Sequence, residues 1–144
     1  MNIFLRHGEV RNPKDILYYN IPGYELSEKG IKQAEHVAEK LKKDFKIEKI
    51  ISSPLLRARQ TSQIVNKMLK KEIIFIDEIT EWGGIKNWIG NTTFEIQQSK
   101  EFEIYINDPT EINTDESFFD TFKRVNKLYA VSYTHLTLPT KRIV

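Results

Sequence analysis

Apolar and polar positions along this chain change period several times, and each change marks an element. The run Ile3-Phe4-Leu5 predicts a short strand over residues 2–5 that stops at the charged Arg6. Residues 10–24 follow no period; they hold Asn12-Pro13, Pro22-Gly23 and the tyrosines Tyr18, Tyr19 and Tyr24, and these breakers predict a loop. After Ser27, whose hydroxyl suits an N-cap, Ile31, Ala34, Ala38, Leu41 and Phe45 recur at three- and four-residue steps and predict one amphipathic helix. His36 falls off that stripe, which makes it a surface residue. Residues 47–51 predict a second strand, whose two consecutive isoleucines suit a sheet covered on both faces. Ser52-Ser53-Pro54 then predicts a cap with proline at the first helical position, and a helix running to about Lys70. The apolar residues 73–76 predict a third strand.

Strand, helix, strand, helix, strand in this order implies crossover connections. The fold class expected is α/β, a three-layer α/β/α sandwich with a mainly parallel central sheet, and 144 residues amount to one domain. In such sheets the ligand lies beyond the carboxyl ends of the strands, where His7, Arg57 and the segment after Ile76 all fall. Further on, a helix is expected from Thr92 or Thr93 through Phe94, Glu95 and Ile96 towards Tyr105. Pro109 interrupts it. Asp115-Glu116-Ser117 then opens a last helix with Phe118, Phe119, Phe122, Val125, Leu128 and Tyr129 crowding one side.

Composition narrows the partners. Lys and Arg number 22 against 20 Asp and Glu, a net charge of +2. Lys141 and Arg142 sit in a tail without acidic residues, and without them the charges balance, so no nucleic-acid partner is called for. The absence of cysteine excludes a disulfide framework and a thiolate metal site, and the three scattered histidines suggest no metal cluster. No metal or cofactor is expected. No apolar run is long enough for a bilayer, and the first predicted strand begins directly after Met1, so a cytoplasmic protein without a membrane partner is expected. Nothing in the pattern fixes an oligomeric state.

The candidate chemistry starts at Leu5-Arg6-His7-Gly8-Glu9. An imidazole lone pair can attack phosphorus, and a neighbouring guanidinium can hold phosphate oxygens through its planar fork of donors. Taken alone, the string equally describes a polar turn after an edge strand. Arg57, at the start of a helix that follows a strand, is a natural anion ligand, whereas Arg59 suits a surface ion pair. Glu81 is the candidate for donating a proton to an alcohol leaving from a phosphate ester, given burial or nearby negative charge; Asp77 and Glu78 are solvated alternatives. Asn12 and Tyr24, on the loop, are candidates for shaping the substrate, although each loop tyrosine also suits a role covering the edge of the core.

Several strings together resemble the histidine phosphatase superfamily, the phosphoglycerate-mutase-like group. They are Leu5-Arg6-His7-Gly8-Glu9; Leu26-Ser27-Glu28-Lys29-Gly30 with Gln33-Ala34; Ile51-Ser52-Ser53-Pro54-Leu55 with Arg57-Ala58 and Gln60-Thr61; and Glu116-Ser117 before the final helix. The resemblance implies a metal-independent, two-step reaction on a small phosphorylated substrate. His7 would be the nucleophile, Arg6 and Arg57 the ligands of the phosphoryl oxygens, Glu81 the general acid, and Gly8 the point where backbone approaches phosphate. The short connection from Gly90 to Glu116, with Trp88-Ile89-Gly90 and Phe94-Glu95-Ile96, resembles the phosphatase pattern more than the mutase pattern. The alternatives are mutase-type phosphoryl transfer and a non-catalytic phosphate-binding module.

The family's second histidine, in a Ser-His-Gly-Gly pattern, has no match here. His135 is followed by leucine and comes eighteen residues after Ser117, too few for a helix, a loop and a strand. Residues 131–140, Val-Ser-Tyr-Thr-His-Leu-Thr-Leu-Pro-Thr, resemble the in-frame translation of a transposase-type sequencing adapter, and residues 141–144 would fit a sample index. The domain organisation expected is therefore an incomplete histidine-phosphatase-like domain over residues 1–130 and a non-native tail over 131–144. Such a chain is expected to fold poorly and to be nearly inactive.

Overall fold

The computed structural model describes residues 2–112 and 114–134, the side chains of 128–134 excepted. Helix α1 spans Glu28–Asp44, and Ser27 caps it as the sequence predicts, its hydroxyl accepting from the Gly30 N–H. Ala34, Ala38 and Leu41 of the expected stripe are buried, but Ile31 and Phe45 are exposed, because the neighbouring elements cover only the middle of the helix face. His36 is exposed.

Strand β1, Ile50–Ser52, pairs in parallel with β2, Ile73–Phe75, through the partners Ile50 with Ile73, Ile51 with Ile74 and Ser52 with Phe75. Helix α2, Leu56–Leu69, connects them. Its N-cap is Leu55 rather than the serine pair, and Pro54 precedes the helix; Ser53 instead turns the chain, its hydroxyl accepting from the Leu55 N–H. Helices α1 and α2 pack together around Ala38, Leu41 and Val65, with Ile47, Ile50 and Met68 against them. The α/β class with parallel strand pairing is thus present, on two strands among the described residues.

Residues 2–5 do not form the expected strand, and Ile3, Phe4 and Leu5 are 39, 72 and 44% exposed. An apolar run becomes a strand only where a neighbour completes its backbone ladder, and among the described residues the ladder is formed by β1 and β2. The helix expected from Thr93 to about Tyr105 is two helices, α3 over Thr93–Gln97 and α4 over Lys100–Asn107. Thr92 and Glu95 form a capping box for α3, and Ser99 breaks the run by capping α4 through the Phe102 N–H. Helix α5 spans Phe118–Thr134, so it runs past the expected junction at residue 130. Ser117 caps it by accepting from the Asp120 N–H. Its phenylalanines do not build a core: Phe118 lies 4.2 Å from the Trp82 ring, while Phe119 and Phe122 are exposed. Val125 is partly buried; the side chains of Leu128 and Tyr129, and all of His135 and the remaining tail, lie outside the described residues.

Among the described residues no large side chain is fully buried, while Phe4, Phe94, Ile106, Phe119 and Phe122 are each more than half exposed. Burial supplies most of the free energy that opposes chain entropy, so this distribution predicts a loosely packed molecule. The 144-residue chain should melt over a broad range, with weak near-ultraviolet circular dichroism and binding of the dye ANS. A sharp transition without dye binding would contradict that expectation.

Candidate active site

The segment carrying His7 is held by side chains of the two packed helices. The Gly8 N–H donates to Thr61 Oγ1 at 3.2 Å, and the Thr61 hydroxyl donates to the Arg57 carbonyl at 2.8 Å. The Glu9 N–H donates to Gln33 Oε1 at 2.9 Å, and the Leu26 N–H to Gln60 Oε1 at 2.8 Å. Gly8 and Gly30 meet backbone to backbone: a Cβ on Gly8 would lie 2.3 Å from the Gly30 carbonyl oxygen, and one on Gly30 would lie 2.1 Å from that of Glu9. Gly8 therefore meets a structural demand of its own, close contact with the start of α1. Glu9 completes the joint, accepting from the Ser27 hydroxyl at 2.8 Å and pairing with Lys29 at 2.7 Å, and both partners hold its carboxyl below the usual range, Lys29 more strongly.

His7 Nδ1 lies 2.8 Å from the Gly8 carbonyl oxygen. A carbonyl can only accept, so this contact assigns the proton to Nδ1 and leaves the lone pair on Nε2. His7 and Arg6 line a cleft of about 390 Å³ together with Asn12 and Tyr18. Arg6 is exposed and makes no ion pair among the described residues. Asn12 reaches this cleft, but its amide is engaged in the loop, Nδ2 donating to the Ile16 carbonyl at 2.8 Å and Oδ1 accepting from the Ile16 N–H at 3.2 Å.

Arg57 and Glu81 form a second group beside this cleft. The Arg57 side chain is 3% exposed and pairs through Nη2 with Glu81 Oε1, while its Nη1 donates to the Tyr19 carbonyl at 2.8 Å. The acid role expected of Glu81 calls for burial or nearby negative charge; the side chain is instead half exposed and its partner is a cation. The Tyr18 ring joins the two groups, covering the Arg57 guanidinium at 5.0 Å and lining the cleft. Tyr24 backs Tyr18 in a stack at 4.8 Å, so of the loop tyrosines Tyr18 lines the cleft, while Tyr19 contributes its carbonyl to Arg57. Among the described residues Arg59 makes no ion pair; it lies over the Phe75 ring at 5.3 Å. The loops after β1 and β2 meet where Ser53 Oγ and Thr80 Oγ1 share a hydrogen bond of 3.2 Å, placing Glu81 at the carboxyl-end rim.

Arg124 carries no motif that singles it out in the sequence. Its Nε and Nη2 donate to the two carboxylate oxygens of Glu116 at 2.6 and 2.7 Å, and its Nη1 donates to the carbonyls of Glu78 and Thr80 at 2.8 Å each. The only signal for it is an arginine two helical turns after Glu116. Among the described residues no three His, Asp or Glu side chains gather to hold a metal, and no helix is long and apolar enough to cross a membrane.

The sequence profile of the histidine phosphatase superfamily (branch 1) matches residues 2–133, and the chain belongs to that family. It is 50% identical over 58 residues to an uncharacterised protein of Mycobacterium tuberculosis, a match covering 40% of this chain and 28% of that one. It is 40% identical over 82 residues to the 2,3-bisphosphoglycerate-dependent phosphoglycerate mutase of Thermoplasma acidophilum, covering 56% of this chain and 40% of the mutase. The crystal structure of the alpha-ribazole phosphatase from Shigella flexneri superposes with a TM-score of 0.73 at 26% identity, over 91% of this chain and 67% of that one. The matches to the two curated relatives thus span less than half of their length.

Glu116 gives the site a pH dependence. Arg124 holds its carboxyl below the ordinary value of 4.5, so the stabilisation is complete above that value and is lost as pH falls through the lower folded one. The Trp82 indole donates to the Glu116 carbonyl at 2.7 Å and so reports on the contact. In a Trp88→Phe background, the emission should shift as pH falls below 4.5, and Glu116→Gln should show the shifted emission at neutral pH. An acid-insensitive emission in both proteins would contradict the coupling.

Proposed function

We propose that residues 1–130 belong to a metal-independent phosphomonoesterase acting through a phosphohistidine on His7, and that residues 131–144 are foreign to it. The observation that carries this reading is the His7 ring. Its Nδ1 is engaged by the Gly8 carbonyl, which leaves the Nε2 lone pair in a side chain that lines the cleft beside Arg6.

In the first step Nε2 forms a bond to phosphorus, the ester P–O bond breaks, and the departing oxygen takes a proton from Glu81. In the second step water attacks the phosphohistidine, gives its proton to the Glu81 carboxylate, and the N–P bond breaks to release phosphate and restore His7. Arg6 and Arg57 stabilise the charge on the equatorial oxygens. In the resting arrangement Glu81 occupies Arg57. A phosphoryl group arriving at the guanidinium takes over that contact, and the freed carboxylate takes up a proton, from the monoanionic ester or from solvent, before it serves the ester oxygen. The substrate class is a small phosphate ester, in keeping with the name of the Shigella relative, and the proposed setting is the cytoplasm.

Mutase-type transfer is the second reading, favoured by the identity to the Thermoplasma mutase; there the phosphoryl group would pass to a second substrate oxygen instead of water. Against it stands the short connection between Gly90 and Glu116, which α3, α4 and one 3₁₀ turn fill.

Reading the source DNA across codons 127–144 should give a frame that leaves the present sequence after Ala130 and continues to a Ser-His-Gly-Gly strand; a genomic copy of the present tail would overturn the domain assignment. In the protein from that uninterrupted gene, a phosphate ester should leave an acid-labile phosphoenzyme that His7→Ala abolishes. Phosphate binding without any phosphoenzyme would favour the non-catalytic module, and release of a rearranged phosphate ester in place of inorganic phosphate would favour the mutase.

A further inference from the structure

Arg124 makes more hydrogen bonds than any other cation among the described residues, yet it does not line the cleft. Its Nη1 points at three backbone carbonyls, Glu78 and Thr80 at 2.8 Å and Asp77 at 3.4 Å, which frame the 3₁₀ turn Asp77–Ile79 and the residue just before Glu81. On the other side of Glu81, the Trp82 indole donates to the backbone carbonyl of Glu116, the residue whose carboxylate grips Arg124. Thr80 and Trp82, the two neighbours of Glu81, are therefore both tied to one ion pair.

The Glu81 side chain is half exposed, and Arg57 is its hydrogen-bond partner. Packing does little to direct it, so the backbone on either side sets where its carboxyl can reach. An arginine suits this task and a lysine does not, because a planar fork can meet a carboxylate on one edge and carbonyls on the other, whereas an ammonium is a single point.

We infer that Arg124, braced by Glu116, is a positioning residue for the general acid: it fixes the segment from Asp77 to Trp82 so that Glu81 moves between Arg57 and the leaving oxygen. This rests on the phosphatase reading above. A displacement of about 1 Å in a reacting group can cost on the order of 100-fold in rate, so the effect should appear wherever proton donation limits turnover.

The test uses the protein from the uninterrupted gene and two substrates, an alkyl phosphate whose leaving group needs the proton and p-nitrophenyl phosphate whose leaving group does not. Arg124→Met should lower kcat/KM, which reports the first step alone, by about 10- to 100-fold on the alkyl ester and by no more than about threefold on the aryl ester. All losses are read in kcat/KM, because hydrolysis of the phosphohistidine is common to both esters. Arg124→Lys should fall between, and Glu81→Gln sets the full size of the difference. Equal losses on both esters would reduce Arg124 to a structural staple and overturn the proposal, as would unchanged alkyl turnover. Should Arg124→Met not fold, Glu116→Gln decides by the same ratio. A wild-type protein that forms no phosphoenzyme removes the phosphatase reading and the positioning role together; a wild-type phosphoenzyme with equal losses in the variants removes the positioning role alone.

Discussion

The contact between Gly8 and Gly30 is the constraint on which the candidate site depends. Among the described residues, the segment carrying His7 is placed by how closely it lies on the first turn of α1 and by side chains reaching from α1 and α2. Two glycines let the backbones touch, and any Cβ at either position would drive them apart. Ser27 serves both parts at once, capping α1 and donating to Glu9. The helix cap, the glycine pair and the His7 carbonyl contact thus form one joint.

Three arginines show three uses of the same group. Arg6 is exposed in the cleft, Arg57 is buried under a tyrosine ring with a carboxylate on its fork, and Arg124 ties a helix to a loop through a carboxylate and backbone carbonyls. Burial separates the second from the first. A guanidinium sealed from water is costly unless partners lie close by, and Glu81, the Tyr19 carbonyl and Tyr18 supply them. The site is therefore built around satisfying Arg57 before any anion arrives.

Local signals in the sequence are legible where they need no distant partner. Ser27 as a cap, the Ala34, Ala38 and Leu41 stripe, and the α/β order of the middle of the chain come from spacing alone. Residues 2–5 form no strand among the described residues, since strand formation is a property of a pair, and Phe119 and Phe122 on the apolar side of α5 are exposed, since burial needs a covering element. Ser99 has the chemistry of a cap, but the apolar period on either side of it masks the break. In the site, motif residues mark the right region, but which of them touch depends on loop geometry. Tyr18 rather than Tyr24 reaches the cleft, Asn12 ties up its amide within its own loop, and Arg124 enters through a helix that carries no motif of its own at that position.

The carboxylate resting on Arg57 also bears on product release. A phosphatase ends each cycle with inorganic phosphate bound to the groups that recognised the ester, and tight recognition slows its departure. A carboxylate tethered one loop away is an internal competitor for that guanidinium, present at high effective concentration whatever the solution holds. On the mechanism proposed above, its return to Arg57 after shedding its proton would favour expulsion of the product, and the ion pair that opens for the substrate would also clear the site after turnover.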